Sequence, residues 1–241
     1  MKVYAMTDIG RSRSINEDSY YLPDEDEQFC AVADGMGGHN AGEVASALAV
    51  QIFSQYMRSL GHISAQSLHH AVQRANEAVY QAAQENEGMS GMGTTFSALA
   101  RQGDTVYLAH VGDSRIYLVR HGSLMQMTTD HTVVEEMVRQ GLITPSQARV
   151  HPRRNLITRA LGTDERVRID MLQMSVREGD AFFLCSDGLT NYVEEREILR
   201  TALSDRDWQD KLRHLVSVAL ENGGGDNITA MFAVFGEAAE G

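Results

Sequence analysis

Short apolar runs and long amphipathic segments follow one another along this chain of 241 residues. Apolar or β-branched runs of about four to eight residues, bounded by turn residues, predict buried strands. We predict such strands at residues 3–7, 19–22, 28–33, 94–101, 105–110, 115–120, 169–174, 181–186 and 228–234. Turn residues such as Gly103-Asp104 and His121-Gly122 join neighbouring runs, which favours antiparallel hairpins.

The amphipathic segments predict two pairs of helices. Residues 42–60 and 64–85 carry apolar side chains at helical spacing, and Ser64 or Ser67 could cap the second helix. Two later helices are predicted at 194–203 and 207–221, with Asp207 near the start of the last. Because strands cluster and helices pair, we expect an α+β fold with helix layers on antiparallel sheets.

The segment 131–163 follows neither pattern. A short helix at 133–138, closed by Gly141, precedes Thr144-Pro145 and a polar stretch. It resembles a flap-like excursion between strands, which could carry function or be a solvated loop without a role. With three prolines and no low-complexity tract, residues 1–241 are expected to form one domain.

Composition narrows the choice of partner and compartment. The net charge of −12 and the scattered arginines argue against nucleic acid, for which a basic patch is expected. Both cysteines, Cys30 and Cys185, lie in apolar runs, which favours buried thiols over a zinc site. No apolar window approaches the length of a membrane span. We therefore expect a cytoplasmic protein without a membrane partner.

Four aspartates at the ends of predicted strands carry the main chemical signal. They are Asp34, Asp113, Asp187 and Asp226. A single Asp-Gly pair is more often a turn than a ligand. Several carboxylates at the rim of a core, however, need a positive partner, and a hard divalent cation suits them. A carboxylate cluster around two metal ions is typical of a hydrolytic site.

A glycine-rich turn after the third predicted strand needs separate treatment. Gly35 and Gly37 precede a predicted helix, as in a dinucleotide-binding turn. The third glycine of that motif would fall at Asn40, and the predicted sheet is not βαβ. Dinucleotide binding is therefore rejected.

Seven sequence blocks together resemble the metal-dependent protein phosphatases of the type 2C family, in order and spacing over nearly the whole chain. The blocks are Thr7-Asp8-Ile9-Gly10 with Arg13 and Asn16-Glu17-Asp18; Val32 to His39 with Gly42-Glu43; Gly91-Met92-Gly93-Thr94-Thr95; Ala109 to Arg115; Thr129-Asp130-His131; Leu184 to Leu189; and Gly224 to Thr229. The resemblance implies two antiparallel β-sheets packed as a sandwich and flanked by helix pairs, in α-β-β-α layers. The compact length is similar to that of the bacterial stand-alone members.

The resemblance also implies a two-metal centre. Asp34 would bridge two Mn²⁺ or Mg²⁺ ions, and the carbonyl of Gly35 would complete one site. Asp187 and Asp226 would bind the other ion. All-oxygen ligand sets suit both metals. A hydroxide between the ions would attack phosphorus directly, without a phospho-enzyme. Asp113 would hold a third, weaker ion, although an aspartate there could instead order its turn.

Three further residues receive roles from the resemblance. Asp18 would hold metal-bound water, or else cap a turn. Arg13 would clamp the substrate phosphate with its guanidinium fork, although an isolated arginine is usually a surface residue. His39 would act as general acid towards the leaving seryl oxygen, the alternative being a loop histidine without a role.

We therefore predict a cytoplasmic, Mn²⁺/Mg²⁺-dependent phosphoserine/phosphothreonine protein phosphatase. Its partners would be phosphorylated proteins and, in a bacterial signalling setting, a cognate Ser/Thr kinase, and we expect a monomer. Two alternatives stay open: a non-catalytic phospho-binding regulatory module of the same fold, and another two-metal phosphoesterase such as a nuclease. The acidic balance weighs against the nuclease.

Overall fold

The computed structural model describes residues 1–37 and 41–236, which form strands and helices in the following order. The strands are β1 (Lys2–Asp8), β2 (Asp18–Tyr21), β3 (Phe29–Met36), β4 (Gly93–Thr94), β5 (Phe96–Gln102), β6 (Thr105–Val111), β7 (Arg115–Arg120), β8 (Ser123–Gln126), β9 (Asp170–Ser175), β10 (Ala181–Cys185) and β11 (Ile228–Val234). The helices are α1 (Gly42–Arg58), α2 (Ala65–Glu85), α3 (Val133–Arg139), α4 (Pro145–Arg149), α5 (Asp187–Thr190), α6 (Glu195–Ala202) and α7 (Trp208–Glu221), with a 3-10 turn at Glu87–Met89.

The strands form two sheets whose inner faces pack together. One sheet has the order β1-β11-β10-β7-β8, and the other has the order β2-β3-β5-β6-β9 with β4 added to β3. Every strand pair is antiparallel. Val32 and Leu108 of the second sheet share an apolar cluster with Ile116, Leu184 and Met231 of the first. This cluster is the core between the sheets.

A helix pair covers the outer face of each sheet. Phe53 of α1 and Leu68 of α2 lie in one cluster with Phe96 of β5. Leu215 of α7 lies in a second cluster with Phe232 of β11, together with side chains of α6. The layers are therefore α-β-β-α, and the expected α+β sandwich is confirmed. No helix in the described ranges is long and apolar enough to cross a membrane.

Local capping explains where several helices begin. The Ser64 hydroxyl accepts a hydrogen bond from the backbone N–H of Ser67, and the Ser67 hydroxyl accepts one from the backbone N–H of Ser64, forming a capping box at α2. Asp207 caps α7 by accepting from the N–H of Asp210. Thr132 caps α3 in the same way. Each cap satisfies an N–H group that the first helical turn leaves unpaired.

Several element bounds differ from the sequence predictions. Strand β3 continues beyond Ala33 to Met36, because Gly35 and Met36 pair with the short strand β4. Asp34 therefore lies within a strand rather than at its end. The predicted strand 94–101 is divided into β4 and β5. Strand β8 and helices α4 and α5 were not predicted, since each is a short element of four or five residues with little periodicity.

Gly35 lies where β3 and the start of α1 approach most closely. A Cβ atom on Gly35 would lie 2.1 Å from the carbonyl oxygen of Gly42 and 2.6 Å from that of Glu17. Both contacts are with backbone, which cannot move aside as a flexible side chain could. The absence of a side chain is therefore a packing requirement, besides any use of the Gly35 carbonyl by an ion.

We predict that Gly35→Ala lowers the free energy of unfolding by about 1–3 kcal/mol or more, the usual cost of overpacking. Urea denaturation of the metal-stripped protein measures this change. Gly61→Ala is the matched control, because a Cβ at Gly61 meets no atom within 4 Å, and its effect should stay within about 0.5 kcal/mol. Equal stability of Gly35→Ala and wild type would contradict the packing argument.

Candidate metal centre

Five aspartates from both sheets converge at one edge of the sandwich. Asp18 and Asp34 face each other directly in the β2–β3 ladder. Asp187 begins α5 immediately after β10, and Asp226 lies just before β11, the antiparallel neighbour of β10. Asp113 lies in the turn between β6 and β7. Adjacent antiparallel strands thus bring residues that are far apart in the sequence to the same edge.

The carboxyl groups of this cluster repel one another, and Asp18 and Asp113 are buried while Asp34, Asp187 and Asp226 are half-buried. Burial is the largest cause that raises the pKa of Asp34, and the charges of Asp18, Asp187, Asp113 and Asp226 raise it further. Burial, followed by the charge of Asp187, likewise raises the pKa of Asp113. Asp187 shows the same direction, from burial and then from Asp226. Ionised carboxylates here disfavour the folded state unless positive charge neutralises them.

Asp18 contributes a polar atom without a partner. Burial raises the pKa of Asp18 to about 7, and the charges of Asp187 and Asp226 add to the effect. Its Oδ2 accepts a hydrogen bond from Ser186 Oγ at 2.8 Å, whereas its buried Oδ1 has no hydrogen-bond partner among the described residues. The nearby turn is capped by Asn16, which accepts from the Asp18 N–H at 3.1 Å. The Asp18 carboxyl lies at the cluster, and the role predicted for it stays a prediction.

Arg13 lies against the cluster at its solvent side. Its guanidinium donates from Nη2 to Asp226 Oδ2 at 2.9 Å, and its Nε lies 2.9 Å from Asp226 Oδ1 in the same ion pair. Glu17 lies 3.5 Å from Nη1, and the Arg13 side chain is 45% exposed. The planar fork that grips a carboxylate in this way also matches two phosphate oxygens. The structure thus brings the predicted phosphate clamp within contact of a predicted metal ligand.

The carboxylate oxygens of the cluster are of the type that binds a hard divalent cation, but their side chains are not arranged around a common ion position. Within residues 1–37 and 41–236, no three His, Cys, Asp or Glu side chains are positioned to hold an ion together. One reason is visible in Asp226, since Arg13 occupies both of its oxygens. The unpartnered oxygen of Asp18 and the raised pKa values around Asp34 nevertheless show uncompensated oxygen donors. Oxygen donors of this type are those that Mn²⁺ and Mg²⁺ prefer.

The remaining predicted site residues lie as follows. Gly35 follows Asp34 within β3. Asp113 has Asp187 and Asp130 as its charged acidic neighbours, and Arg115 lowers its pKa in part. The turn after Asp113 is held by Ser114, whose hydroxyl pairs with Thr95 Oγ1 at 2.7 Å. His39 lies outside the described residues. The roles predicted for these residues stay predictions.

Three polar residues that the sequence analysis left without roles hold the cluster together. The Asp34 N–H donates to Thr95 Oγ1 at 2.9 Å. The hydroxyl of Ser186 accepts from the Thr229 N–H at 2.9 Å while donating to Asp18. Asn227 donates to two backbone carbonyls near the N-terminus and accepts from the Glu17 N–H. The sequence could have indicated these three residues, because each is a polar residue beside an apolar strand. A polar residue buried there needs hydrogen-bond partners.

The chain is similar in sequence and in fold to known proteins. The family model described as protein phosphatase 2C matches residues 10–231. A serine/threonine phosphatase, stp, of Listeria welshimeri is 38% identical over 232 residues, which cover 93% of this chain and 92% of the relative. The crystal structure of the Mycobacterium tuberculosis serine/threonine phosphatase PstP/Ppp matches with a TM-score of 0.91 at 38% identity, covering 98% of this chain and 99% of that one. A structure of the PstP catalytic domain in complex with two manganese ions matches with a TM-score of 0.89 at 37% identity, covering 98% of each chain.

The buried carboxyl of Asp18 generates a prediction about stability and pH. The pKa of Asp18 is raised to about 7 in the folded state, whereas the ordinary pKa of an Asp is about 4. Below about pH 4 the carboxyl group is protonated in both states and does not destabilise the fold. Above that pH its ionisation increasingly destabilises the folded state, until the pH has risen through the folded pKa. Asp18→Asn keeps the shape and removes the charge. It should stabilise the metal-stripped protein at pH 8, each kcal/mol raising the melting temperature by about 2–4 °C. The gain should shrink at pH 5.

Thermal unfolding at both pH values in EDTA tests this expectation. The exposed Asp205 gives a matched control, since Asp205→Asn removes one carboxylate far less buried. Added Mn²⁺ should stabilise wild type more than Asp18→Asn if an ion relieves the repulsion. A melting temperature of Asp18→Asn at or below that of wild type at pH 8 would show that the carboxylate is compensated in some other way.

Proposed function

The chain belongs to the protein phosphatase 2C family, and we propose that it is a Mn²⁺- or Mg²⁺-dependent phosphoserine/phosphothreonine protein phosphatase. The observation that carries the proposal is the cluster of buried, mutually repelling aspartates at the sandwich edge, with an arginine fork beside it. In this proposal Asp34, Asp187 and Asp226 hold the ions, together with the carbonyl of Gly35. When bound, two such ions supply an activated water for direct attack on phosphorus.

The substrate phosphate would be gripped by Arg13. Its guanidinium already contacts both oxygens of a carboxylate, with one hydrogen bond from Nη2 and with Nε 2.9 Å from the second oxygen, and a phosphate presents two oxygens of similar spacing. Half-exposure of the side chain leaves the fork accessible to a phosphorylated residue from solvent. The two bonds orient the phosphorus towards the cluster and offset part of the ester's negative charge, which the surrounding aspartates would otherwise repel.

Proton control falls to two residues in this proposal. Asp18 accepts from Ser186 with one oxygen, and its other oxygen has no hydrogen-bond partner among the described residues, so that it can orient a water at the cluster. His39 is proposed to donate the proton to the leaving seryl or threonyl oxygen, because an unperturbed imidazole titrates near neutrality.

A non-catalytic phospho-binding module explains the cluster less well. Gripping a phosphate requires Arg13 alone, whereas buried carboxylates repel that phosphate and destabilise the fold. A hydrolytic centre gives every member of the cluster a use. The proposed substrates are therefore phosphorylated Ser/Thr proteins, with a Ser/Thr kinase as the source of the phosphate.

We predict that Asp34→Asn abolishes hydrolysis while the protein stays folded. Loss of a carboxylate that would hold the ions should exceed the about 10- to 100-fold effect of changing an outer contact to a metal ligand. Phosphate release from a phosphothreonine peptide, after EDTA stripping and with or without Mn²⁺, measures activity, and circular dichroism checks the fold. Asp205→Asn should keep wild-type turnover. A folded Asp34→Asn protein with full activity would contradict the two-metal mechanism.

We predict that Arg13→Ala mainly raises KM for the same peptide, with a smaller fall in kcat. Two charge-assisted hydrogen bonds are lost, each contributing about 1.5–3 kcal/mol, so KM should rise at least tenfold. Arg13→Lys keeps the charge without the fork and should lie between wild type and Arg13→Ala.

Calorimetric titration of Arg13→Ala with Mn²⁺ separates the phosphate clamp from metal support. Because Arg13 engages both oxygens of Asp226, its removal should leave Mn²⁺ affinity equal or higher. Weaker Mn²⁺ binding together with an unchanged KM would remove Arg13 from the phosphate site.

A further inference from the structure

The excursion between β8 and β9 concentrates positive charge in an acidic protein. Residues 137–163 contain five arginines and neither Asp nor Glu, although the whole chain carries a net charge of −12. The segment includes the end of α3 and all of α4. Its base is fixed beside the aspartate cluster, since the His131 N–H donates to the carbonyl of Gly112, next to Asp113, at 2.7 Å.

A cavity of about 950 Å³ separates this excursion from α5 and the start of α6. Asp113 and Asp187 line one part of it, whereas Arg149, Val150 and Arg154 line the side formed by the excursion. This volume lies at the upper end of the range for ligand pockets, about 300–1,000 Å³, and exceeds what one phosphorylated side chain fills. A polypeptide whose phosphorylated residue lies at the cluster can therefore place neighbouring residues in this cavity.

Two guanidinium groups in the cavity lack a partner. Arg149 and Arg154 are exposed and make no side-chain hydrogen bond or ion pair with any residue in the ranges the structure describes. The other lining arginines differ. Arg115 donates to Asp130 at 2.7 Å, and Arg196 lies 3.5 Å from Glu194. Arg149 and Arg154 are thus the cations of this cavity that an incoming anion can bind without breaking an existing pair.

The acidic side chains in the same cavity restrict where an anion can lie. Glu135 of α3, with Glu194 and Glu195 at the start of α6, also line it. Arg196 partly neutralises Glu194, whereas Glu135 and Glu195 repel an incoming carboxylate. An acidic residue is therefore favoured at the Arg149 and Arg154 side and disfavoured at the α6 side.

We propose that Arg149 and Arg154 form a second anion subsite, which binds acidic side chains flanking the phosphorylated residue of a substrate polypeptide. The inference rests on the proposed phosphatase function and adds a substrate class to it: phosphoproteins whose phosphorylated residue has Asp or Glu nearby. The attraction between these two arginines and an acidic flank lowers KM and leaves the chemical step unchanged.

Phosphothreonine peptides of equal length test the subsite, with neutral flanks, acidic residues on the N-terminal side, or acidic residues on the C-terminal side. Two exposed ion pairs of about 0.2–1 kcal/mol each correspond to an about 2- to 30-fold preference in kcat/KM for one acidic peptide. The preference should appear in KM and decline as salt is raised, because screening weakens exposed pairs.

The double variant Arg149→Gln with Arg154→Gln should lose this preference. The matched control is Arg139→Gln with Arg153→Gln, which removes the same charge from the same segment at arginines that do not line the cavity, and it should retain the preference. If both double variants lose the preference equally, the total charge of the segment explains it, and the proposed subsite is wrong. The subsite is also wrong if the wild-type protein shows no preference for acidic peptides. Failure of the wild-type protein to hydrolyse p-nitrophenyl phosphate with Mn²⁺ would instead contradict the phosphatase function itself.

Discussion

Repulsion among buried carboxylates is the constraint on which the rest of this structure depends. Burial is the largest cause that raises the pKa of Asp18, Asp34, Asp113 and Asp187; the charge of Asp187 adds to it at the other three, and the charge of Asp226 adds to it at Asp187. Left uncompensated, such a cluster destabilises the folded state as the pH rises. The fold holds these groups together nonetheless, and the core between the sheets and the two helix layers supply the stability that permits it. A cluster of this kind gains its use from cations, which links folding, metal binding and the proposed chemistry.

Hydrogen bonds between the sheets hold the cluster in register. Ser186, after β10, donates to Asp18 of β2, which belongs to the opposite sheet. Thr95 bonds both the Asp34 backbone and Ser114, so that β3 and the turn after Asp113 are tied to one hydroxyl. These bonds are short and buried, and breaking any of them leaves an unsatisfied polar group, which costs about 1–3 kcal/mol. These hydrogen bonds therefore hold the sandwich edge in place where the aspartates lie, although the aspartates themselves repel one another.

The sequence predicted the helices of the outer layers better than the local path of the strands. Ser64 and Asp207 cap α2 and α7 as expected, because capping depends on neighbouring residues alone. Asp34 was misplaced at a strand end, because the extension of β3 to Met36 depends on pairing with β4, about sixty residues away. The sandwich came from the family resemblance and not from periodicity. The convergence of Asp113 and Asp187 was expected from strand ends, but the bond between Arg13 and Asp226 joins residues 213 positions apart, and no local pattern indicates it.

The arginines around the aspartate cluster differ in how strongly they are already paired, and this difference determines which of them can bind a new anion. Arg115 is half-buried and held by Asp130 through Nε and Nη2, so it contributes a fixed positive charge near Asp113 and cannot follow a substrate. Arg13 is half-exposed and pairs with Asp226, so its fork can exchange one anion for another at the mouth of the site. Arg149 and Arg154 have no hydrogen-bond or ion-pair partner to exchange within residues 1–37 and 41–236. A phosphorylated polypeptide that approaches a protein of net charge −12 is repelled overall. Arg13, Arg149 and Arg154 therefore determine where its negative charges can bind.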